Sequence, residues 1–430
     1  MLFCIRKAFR LVAGGSVLLP FSILAAADTA PLPGAEAITW QAVVTAVERH
    51  NPELAALGVQ PDIEAGNLRQ AAARPNPELE GELSEFAGTE ERRDLNVAET
   101  TVTLSQTLEL GGRRAARVTA AQRVLDEANA AVTARRQELL GEARQRYVDL
   151  LLKQELVALD REAAGIATQA LATEERRLEL KAATTVDVSR AKTAAATIRA
   201  NLARAEIEVA AARVRLAAMW GDDKPRFAAA AGTLQQSPTL PALDTLLARV
   251  PQTPALVCAR LAVDRTEAER AVEQTKRRPD VSVYGGFTHF SETHDGALVA
   301  GVSMPLPLFD RNQGAIAAAA ARRRQAEAEV LTVDAVARSA VAAAYHEHAA
   351  AWAAAELLAR DALPAAKAAY DAVSEGYEKG KYGWLDVTEA REAWLDARRQ
   401  HLEHLGAAHQ ALAEIEGIVG PLPPAANQEP

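Results

Sequence analysis

Histidine and carboxylate side chains are the residues of this chain with the clearest potential for metal chemistry. Imidazole and carboxylate groups are common zinc ligands, and one short stretch holds four of them: His289, Glu292, His294 and Asp295. The stretch falls on a predicted hairpin and its polar turn. A flexible surface cluster binds metal weakly, and scattered solvated histidines are the favoured interpretation, so we expect no resident metal.

Signatures of catalysis are missing from the sequence. It contains no glycine-rich phosphate loop, no nucleophile elbow and no HExxH zinc pair. The sequence therefore predicts a protein that is not an enzyme and has no cofactor. The formal net charge of -9 also argues against a nucleic-acid partner, because phosphate binding needs basic surfaces.

The N-terminus has the pattern of a secretory signal. A basic start with Arg6, Lys7 and Arg10 precedes the apolar run "LVAGGSVLLPFSIL" and the small residues "LAAAD". We expect residues 1–27 to be removed on export. No cysteine stands at the cleavage point, so a lipid-anchored N-terminus is not expected, and Cys258 is the only thiol of the predicted mature chain.

The rest of the chain repeats itself at a spacing of about two hundred residues. "TVTLSQTLELGGRRAAR" begins at Thr101 and "GVSMPLPLFDRNQGAIA" begins at Gly301; "TTVDVSRA" contains Asp187 and "GWLDVTEA" contains Asp386. We interpret this as an internal duplication. The predicted units are a first repeat over 39–225, a linker over 226–245, a second repeat over 246–420 and a tail over 421–430.

Each repeat predicts the same order of elements. A first helix, over about 40–73 and 246–276, ends at an Arg-Pro step, since proline disfavours a helical residue before it. Alternating apolar and polar residues then predict a β-hairpin. A helix of about 65 residues follows, long enough to span about 100 Å, with a shared kink expected at Gly165 and Pro364. A turn leads to a shorter return helix.

These elements predict a mainly α protein with a small β part. No stretch of the predicted mature chain approaches the length of a membrane-spanning helix, so entry into a membrane would need strands. Four strands cannot close a barrel, and an open sheet edge is unstable in lipid. A cyclic homo-oligomer solves this, and three subunits would supply twelve strands around a water-filled lumen. The arrangement suits an export duct.

The ordered motifs "RPNPEL", "SQTLELGGRRAAR", "YEKGKYGWLDVTEA" and "ALAEIEGIVG" resemble the TolC family of outer-membrane efflux proteins. The resemblance covers nearly all of the predicted mature chain. It implies a homotrimer in the outer membrane of a Gram-negative bacterium, with a twelve-stranded β-barrel in contact with lipid and a periplasmic α-barrel. It also implies a periplasmic adaptor and an inner-membrane pump of the resistance-nodulation-division (RND) type as partners. Within the family, the chain looks most like the component that exports heavy metals of the cobalt-zinc-cadmium type.

The resemblance also suggests where a periplasmic gate would lie. Matching "YEKGKYGWLDVTEA" places gate candidates at Tyr377, Asp386 and Glu389, and Tyr382 stands where the best-known family member has an arginine. Asp386 and Glu389 share a helix face and would form rings of carboxylates in a trimer. The simpler interpretation is that Asp386 is a first-turn helix residue, as Asp187 is.

The two turns at the far end of the long helices are candidates for docking the adaptor. Both keep a hydrophobic-Asp-Val sequence, and the simpler alternative is that they are solvated turns. The docking candidates are Thr185, Val186 and Asp187 in the first repeat and Gly383, Trp384 and Leu385 in the second.

Two other functions remain open from the sequence. The same channel could export organic drugs or a secreted polypeptide. A periplasmic coiled-coil scaffold or adaptor is the second alternative, although it would not need the two alternating hairpins.

Overall fold

The computed structural model describes residues 37–86, 88–89, 95–236 and 240–422. The predicted signal segment and most of the predicted tail lie outside these residues. The described helices are Trp40–His50 (α1), Pro52–Gly58 (α2), Gln60–Ala72 (α3), Arg113–Glu179 (α4), Thr185–Ala217 (α5), Leu243–Arg249 (α6), Pro254–Thr275 (α7), Gln313–Leu357 (α8), Leu363–Glu378 (α9) and Trp384–Val419 (α10). The strands are Ala37–Ile38 (β1), Glu78–Ser84 (β2), Glu99–Leu108 (β3), Ala229–Ala230 (β4), Val281–Phe290 (β5) and Asp295–Ser303 (β6). The predicted mainly α fold with two hairpins is confirmed.

The two hairpins join into one antiparallel sheet of four strands in the order β2-β3-β5-β6. Thr101 pairs with Glu82 on one side and with Thr288 on the other, so the central contact is between the two repeats. Every ladder runs without a skipped residue. A separate parallel pair, β1 and β4, joins the start of the first repeat to the segment between the repeats.

The first long helix matches the sequence expectation closely. α4 contains 67 residues and is therefore about 100 Å long. It begins directly after Gly111 and Gly112, whose φ angles of 69° and 79° are readily available to glycine and turn the chain out of β3. It packs against α5, α7 and α10. None of the described helices has an apolar stretch long enough to cross a membrane.

The second long helix is interrupted where the first is not. α8 passes into a π-helical turn, Leu358–Ala362, before α9 continues the same course. Pro364 explains this, because it has no N–H to donate to the carbonyl one turn earlier and its ring crowds that turn. Gly165 keeps its N–H, and α4 runs through it unbroken. Of the two positions, only Pro364 interrupts the α-helical pattern, and the shared kink expected at Gly165 and Pro364 stays a prediction.

The predicted first helix of each repeat is also divided. Asn51 ends α1, and its side-chain oxygen accepts the N–H of Leu54 at 2.8 Å, which caps α2 with Pro52 at its first position. In the second repeat Thr253 and Pro254 begin α7 after the short helix α6. A polar cap followed by proline starts a new helix in both cases.

Each repeat has its own buried hydrophobic cluster, and a third cluster joins the two repeats through Val148 of α4 and Leu405 of α10. One cluster joins α1, α4 and α5 through Val43, Leu150 and Leu216, and a second joins α6, α8 and α10 around Leu246 and Ile415. Small residues allow the helices to approach closely: a Cβ atom at Gly141 would lie 2.8 Å from the Cα atom of Gly417.

Candidate functional site

The four-stranded sheet has one apolar face. Directly paired residues of an antiparallel sheet project to the same side, and successive residues alternate between sides. One row across the sheet is Gly81, Val102, Phe287 and Leu298. The neighbouring rows on this side carry leucine, valine, alanine and glycine, with Thr100, Gln106 and His289 as their polar members. The apolar face is defined by Leu79, Leu83, Val102, Leu104, Val283, Phe287, Leu298, Ala300 and Val302.

The opposite face carries mainly hydroxyl and carboxylate groups on β2 and β3, whereas β6 contributes Ala297, Val299 and Gly301 to it. Thr101 and Thr288 share a hydrogen bond of 2.9 Å between their hydroxyl oxygens, and Thr107 and Ser282 share one of 3.0 Å. The edge strand β2 contributes Glu78, Glu80 and Glu82 to this face, followed by Ser84. The polar face is defined by Glu78, Glu80, Glu82, Glu99, Thr101, Thr103, Ser105, Thr107, Ser282 and Thr288.

Exposure of the apolar face shows that this sheet is not packed against the rest of the described chain. Leu298 is 89% exposed and Leu79 is 75% exposed. Their strands, β6 and β2, are the two edges of the sheet, and neither has an outer strand partner among the described residues. An apolar side and two free edges are the features that a lipid-facing, multi-subunit barrel requires.

Arginines at the start of α4 donate hydrogen bonds to the ends of α3 and α7, the helices that precede the two hairpins. Arg113 donates to the carbonyls of Lys276 at 3.1 Å and Arg278 at 2.9 Å, just beyond the end of α7. Arg117 donates to Ala71 and Ala73 at the end of α3. Cations near a helix C-terminus satisfy carbonyls that lack a helical partner. These contacts hold the start of α4 against the ends of α3 and α7.

The turns at the far end of the long helices are built alike. Each contains a residue with positive φ, Lys181 at 58° and Gly380 at 72°. Each is closed by a backbone hydrogen bond back into the long helix, from Ala182 to Arg177 at 2.7 Å and from Lys381 to Gly376 at 2.8 Å. The duplication therefore extends to the hydrogen bonds of the turns.

Both aspartates of the hydrophobic-Asp-Val motif cap their return helices. The Asp187 carboxylate accepts the N–H of Thr184 at 3.0 Å, and the Thr184 hydroxyl accepts the N–H of Asp187 at 3.3 Å. The hydrogen bond from the Thr184 hydroxyl, then that from its backbone, lowers the pKa of Asp187. Asp386 accepts the N–H of Gly383 at 2.7 Å. Asp386 therefore has the structural role of a first-turn helix residue, the simpler interpretation of the sequence.

Tyr377 lies in a contact group between α4, α9 and α10 that we call the tip cluster: Glu174, Arg177, Tyr377 and Trp384. The Tyr377 hydroxyl donates to Glu174, whose side chain is fully buried. The Arg177 guanidinium lies 4.2 Å from the centre of the Tyr377 ring, and Trp384 meets the same ring edge-on at 6.2 Å. Burial, followed by the contact with Glu174, raises the pKa of Tyr377.

The tip cluster contains only one of the three predicted gate residues. Tyr377 lies in it, whereas Asp386 and Glu389 are exposed on α10. Sequence reasoning missed Glu174 and Arg177. The repeat offset could have found them: both long helices start at the sheet, so residues about two hundred positions apart reach the same height. Arg177 indeed donates to the carbonyl of Tyr377, 200 positions later.

The predicted docking residues at the tips are mostly exposed. Val186 is 55% exposed and Leu385 is 59% exposed, while Trp384 is half-buried against Tyr377. A groove of about 510 Å³ runs along the start of α5 beside Thr185 and Val186. Apolar side chains that remain exposed at a tip are available for contact with another protein.

The weak metal candidates are not gathered into a site. His289 shares the apolar face of the sheet with its cross-strand partner Gly296, while Asp295 projects to the opposite face. His294 has its Nδ1 atom 2.7 Å from the carbonyl oxygen of Ser291, within the hairpin turn. Among the described residues, no group of three or more histidine, cysteine, aspartate or glutamate side chains could hold a metal ion.

Long paired helices, attached to a small sheet with one apolar and one polar face, define a channel component of the TolC-like class. The chain belongs to the family of outer membrane efflux proteins, which matches it over residues 43–222 and again over 243–421. The predicted resemblance is thus confirmed.

Relatives and solved structures agree with this membership. The cobalt-zinc-cadmium resistance protein CzcC of Cupriavidus metallidurans is 30% identical, over 91% of this chain and 92% of its own. The nickel and cobalt resistance protein CnrC of the same organism is 28% identical, over 75% of each chain. Crystal structures of CusC, and of the outer membrane protein VceC of Vibrio cholerae, share the fold. CusC has a TM-score of 0.75 at 18% identity, covering 91% of this chain and 95% of its own. VceC has 0.71 at 20%, covering 89% and 96%.

Proposed function

We propose that this chain forms the outer-membrane channel of a tripartite efflux system and that its cargo is heavy-metal cations. The two-faced sheet is the observation that carries the proposal, because its apolar side suits lipid and its acidic side suits a path for cations. The similarity to CzcC, a cobalt-zinc-cadmium resistance protein, supports the choice of cargo. The channel itself is passive.

The proposed assembly is a homotrimer. The free edges β2 and β6 are identical in every copy, so β6 of one subunit can pair with β2 of the next until the ring closes. Three copies give a barrel of about twelve strands, wide enough for a water-filled lumen. The polar face then lines the lumen, and each subunit contributes Glu78, Glu80, Glu82 and Glu99.

The proposed partners are a periplasmic adaptor, which docks at the exposed tips, and an inner-membrane pump of the RND type, which supplies the energy. Thr185, Val186 and Asp187 in one turn and Gly383, Trp384 and Leu385 in the other are the proposed docking residues. The proposed gate comprises Tyr377, Asp386 and Glu389. Its closed form is held by the contact of Tyr377 with Glu174.

Ion selectivity tests the proposed lumen. Replacing Glu78, Glu80 and Glu82 with glutamine removes three carboxylates per subunit from the polar face without changing side-chain size. We expect the preference for cations over anions, measured as a reversal potential in planar bilayers under a salt gradient, to fall strongly. Aspartate at the same three positions is the matched control, because it keeps the charge and should keep the preference. An unchanged reversal potential in the glutamine variant would mean that this face does not line the ion path.

Metal tolerance tests the cargo. A strain from which the gene has been deleted should lose tolerance to zinc, cobalt or cadmium and regain it with the wild-type chain. Loss of tolerance to organic drugs, or loss of a secreted polypeptide, with unchanged metal tolerance would replace the metal cargo. A wild-type protein that fractionates as a soluble periplasmic monomer would instead overturn the channel itself.

A further inference from the structure

The segment 304–312, between β6 and α8, extends the apolar face of the sheet beyond its last hydrogen bond. Met304, Leu306 and Leu308 continue the alternation of Leu298, Ala300 and Val302. Leu306 is 67% exposed and Leu308 is 65% exposed, and Phe309 at the end of the row is 92% exposed. Pro305 and Pro307 restrict the backbone to an extended form. The result is a rigid, exposed apolar edge.

Three arginines border this edge. A groove of about 660 Å³ lies between the segment, the end of α7 and the start of α8, with Arg270, Arg277 and Arg311 around it and Leu308 and Phe309 along it. Arg270 pairs with Glu267 at 3.0 Å. Arg277 and Arg311 are exposed, and neither guanidinium has an ion partner or hydrogen-bond acceptor among the described residues.

Carboxylates near the groove do not neutralise these two arginines. Asp310 is the only acidic residue of the segment, and it accepts the backbone N–H of Asn312 at 2.8 Å. Glu273 is held by Lys276 and by the side chain of Asn312. The groove therefore combines exposed apolar side chains with two unpaired positive charges.

The position of the groove indicates what it faces. It lies at the helix-side end of the sheet, where the apolar face stops and the helices begin. At such a boundary aromatic side chains sit at headgroup depth and arginines meet lipid phosphates. A neighbouring subunit joined at β6 would bring the start of its β2. Arg74 precedes that strand, and Glu78, its first residue, lies on the polar face, opposite the apolar row that the segment extends. An anion fits the site better than a second copy does.

We propose that this groove binds an anionic phospholipid of the periplasmic leaflet, with the phosphate on Arg277 and Arg311 and an acyl chain along Leu306, Leu308 and Phe309. The proposal rests on the proposed function, because it needs the sheet to lie in the membrane. The bound lipid would fix the depth of the barrel in the bilayer at the point where the helices leave it.

Lipid binding to the detergent-solubilised full-length protein tests the site. Delipidated protein is titrated with phosphatidylglycerol, phosphatidylcholine and inorganic phosphate, and bound lipid is counted by native mass spectrometry. We expect binding of phosphatidylglycerol only, and an affinity about fivefold lower for each arginine removed in R277Q/R311Q, since one basic residue contributes on that order at an anionic surface. L308S/F309S should also weaken lipid binding while leaving both arginines in place.

The matched control is R49Q/R176Q, which removes two exposed arginines far from the sheet and should bind lipid as the wild type does. Equal phosphatidylglycerol binding by R277Q/R311Q and the wild type overturns the proposal. Competition by inorganic phosphate at equal affinity overturns it in favour of a free-anion site. Loss of the trimer mass in R277Q/R311Q overturns it in favour of a second copy.

Bilayer conductance of the same wild-type preparation separates the two proposals. A protein that inserts and conducts normally but binds no phosphatidylglycerol refutes only the lipid site. A protein that neither inserts nor conducts refutes the channel.

Discussion

At the scale of single residues, the tip cluster shows how one hydroxyl can hold two helices together. Tyr377 on α9 donates to Glu174 on α4, and the second oxygen of that buried carboxylate has no hydrogen-bond partner. Removing the hydroxyl would leave both oxygens unsatisfied in the interior. An unsatisfied buried acceptor costs about 1–3 kcal/mol, and more when it is charged.

Tyr377→Phe should therefore release α9 from α4 and open the proposed gate. We expect a higher single-channel conductance, or a larger open fraction, in planar bilayers. Tyr382→Phe is the matched control, because Tyr382 is 49% exposed and its hydroxyl has no hydrogen-bond partner among the described residues. Equal conductance of Tyr377→Phe and the wild type would show that this contact does not hold the channel closed.

One buried and one partly buried histidine, His348 and His409, make stability depend on pH. Burial lowers the pKa of His348, with a further effect of nearby His409, and burial also lowers the pKa of His409. The unfolded chain, with histidine pKa values near 6.5, then binds more protons than the folded chain. The free energy of unfolding should fall as the pH drops below about 6.5 and level off below the folded pKa values.

Thermal unfolding followed by circular dichroism at pH 7.5 and 5.5 measures this effect. His409→Gln should reduce the loss of stability between the two pH values. His346→Gln, at an exposed position of α8, should leave it unchanged. A loss of the same size in His409→Gln and the wild type would assign the pH dependence to other groups.

At the scale of elements, the contrast between α4 and the α8–α9 pair isolates the effect of one proline. Pro364→Ala restores an N–H that can donate to the carbonyl of Arg360, so the π-helical turn should convert towards α-helix. We expect slower hydrogen exchange of the amides in 358–364, measured by mass spectrometry.

Gly165→Ala is the control for this variant at the corresponding place in α4. A Cβ atom there meets no other atom within 4 Å, so alanine should stabilise the helix by about 0.5–1 kcal/mol and leave its course unchanged. Unchanged exchange in Pro364→Ala would mean that tertiary contacts, rather than the proline, maintain the π-helical turn.

The sequence predicts the elements of this fold better than their breaks. The bounds of α4 follow from a long run with few helix-breaking residues. The hairpins follow from the alternation of apolar and polar residues. The division of the predicted first helix at Asn51 and Pro52 has a local signal, a polar residue followed by proline. The match of this pair with Thr253 and Pro254 indicated the repeat and drew attention away from the helix start. The π-helical turn could not be predicted, because a proline alone does not determine whether a helix bends, ends or accommodates an extra residue.

The candidate site was predictable where it is local, and elsewhere only from the repeat offset of about two hundred positions. Asp187 and Asp386 cap helices in their own sequence neighbourhood, and their position in a motif identifies them. Glu174 comes to Tyr377 through the packing of α4 on α9, and no spacing within α4 distinguishes it from the other glutamates. The two faces of the sheet were predictable in part. Alternation along each strand predicts that two faces exist, but only the pairing between strands shows which residues share a face.

At the scale of the whole molecule, the two repeats are held together by close helix contacts. A Cβ atom at Gly141 of α4 would lie 2.8 Å from the Cα atom of Gly417 in α10, and a backbone atom cannot rotate away. Gly141→Ala should therefore push the repeats apart and cost about 1–3 kcal/mol, the usual range for overpacking.

Thermal unfolding in detergent measures this cost. Gly66→Ala is the matched control, because its Cβ atom meets nothing within 4 Å and alanine favours the helix. The Gly141 variant should unfold at a lower temperature than the wild type and the control variant at the same or a higher one. Equal unfolding temperatures for the two variants would mean that the helices can separate at little cost.

The likeness of the two turns, down to equivalent backbone hydrogen bonds 199 positions apart, has a consequence for stoichiometry. The proposed ring of three duplicated chains would have exact threefold symmetry, but its far end would present six nearly equivalent tips. A partner ring of three copies can match the exact symmetry, and one of six copies can match the approximate symmetry. The small differences between the turns, such as Lys181 against Gly380, then decide whether adjacent partner copies bind with equal strength.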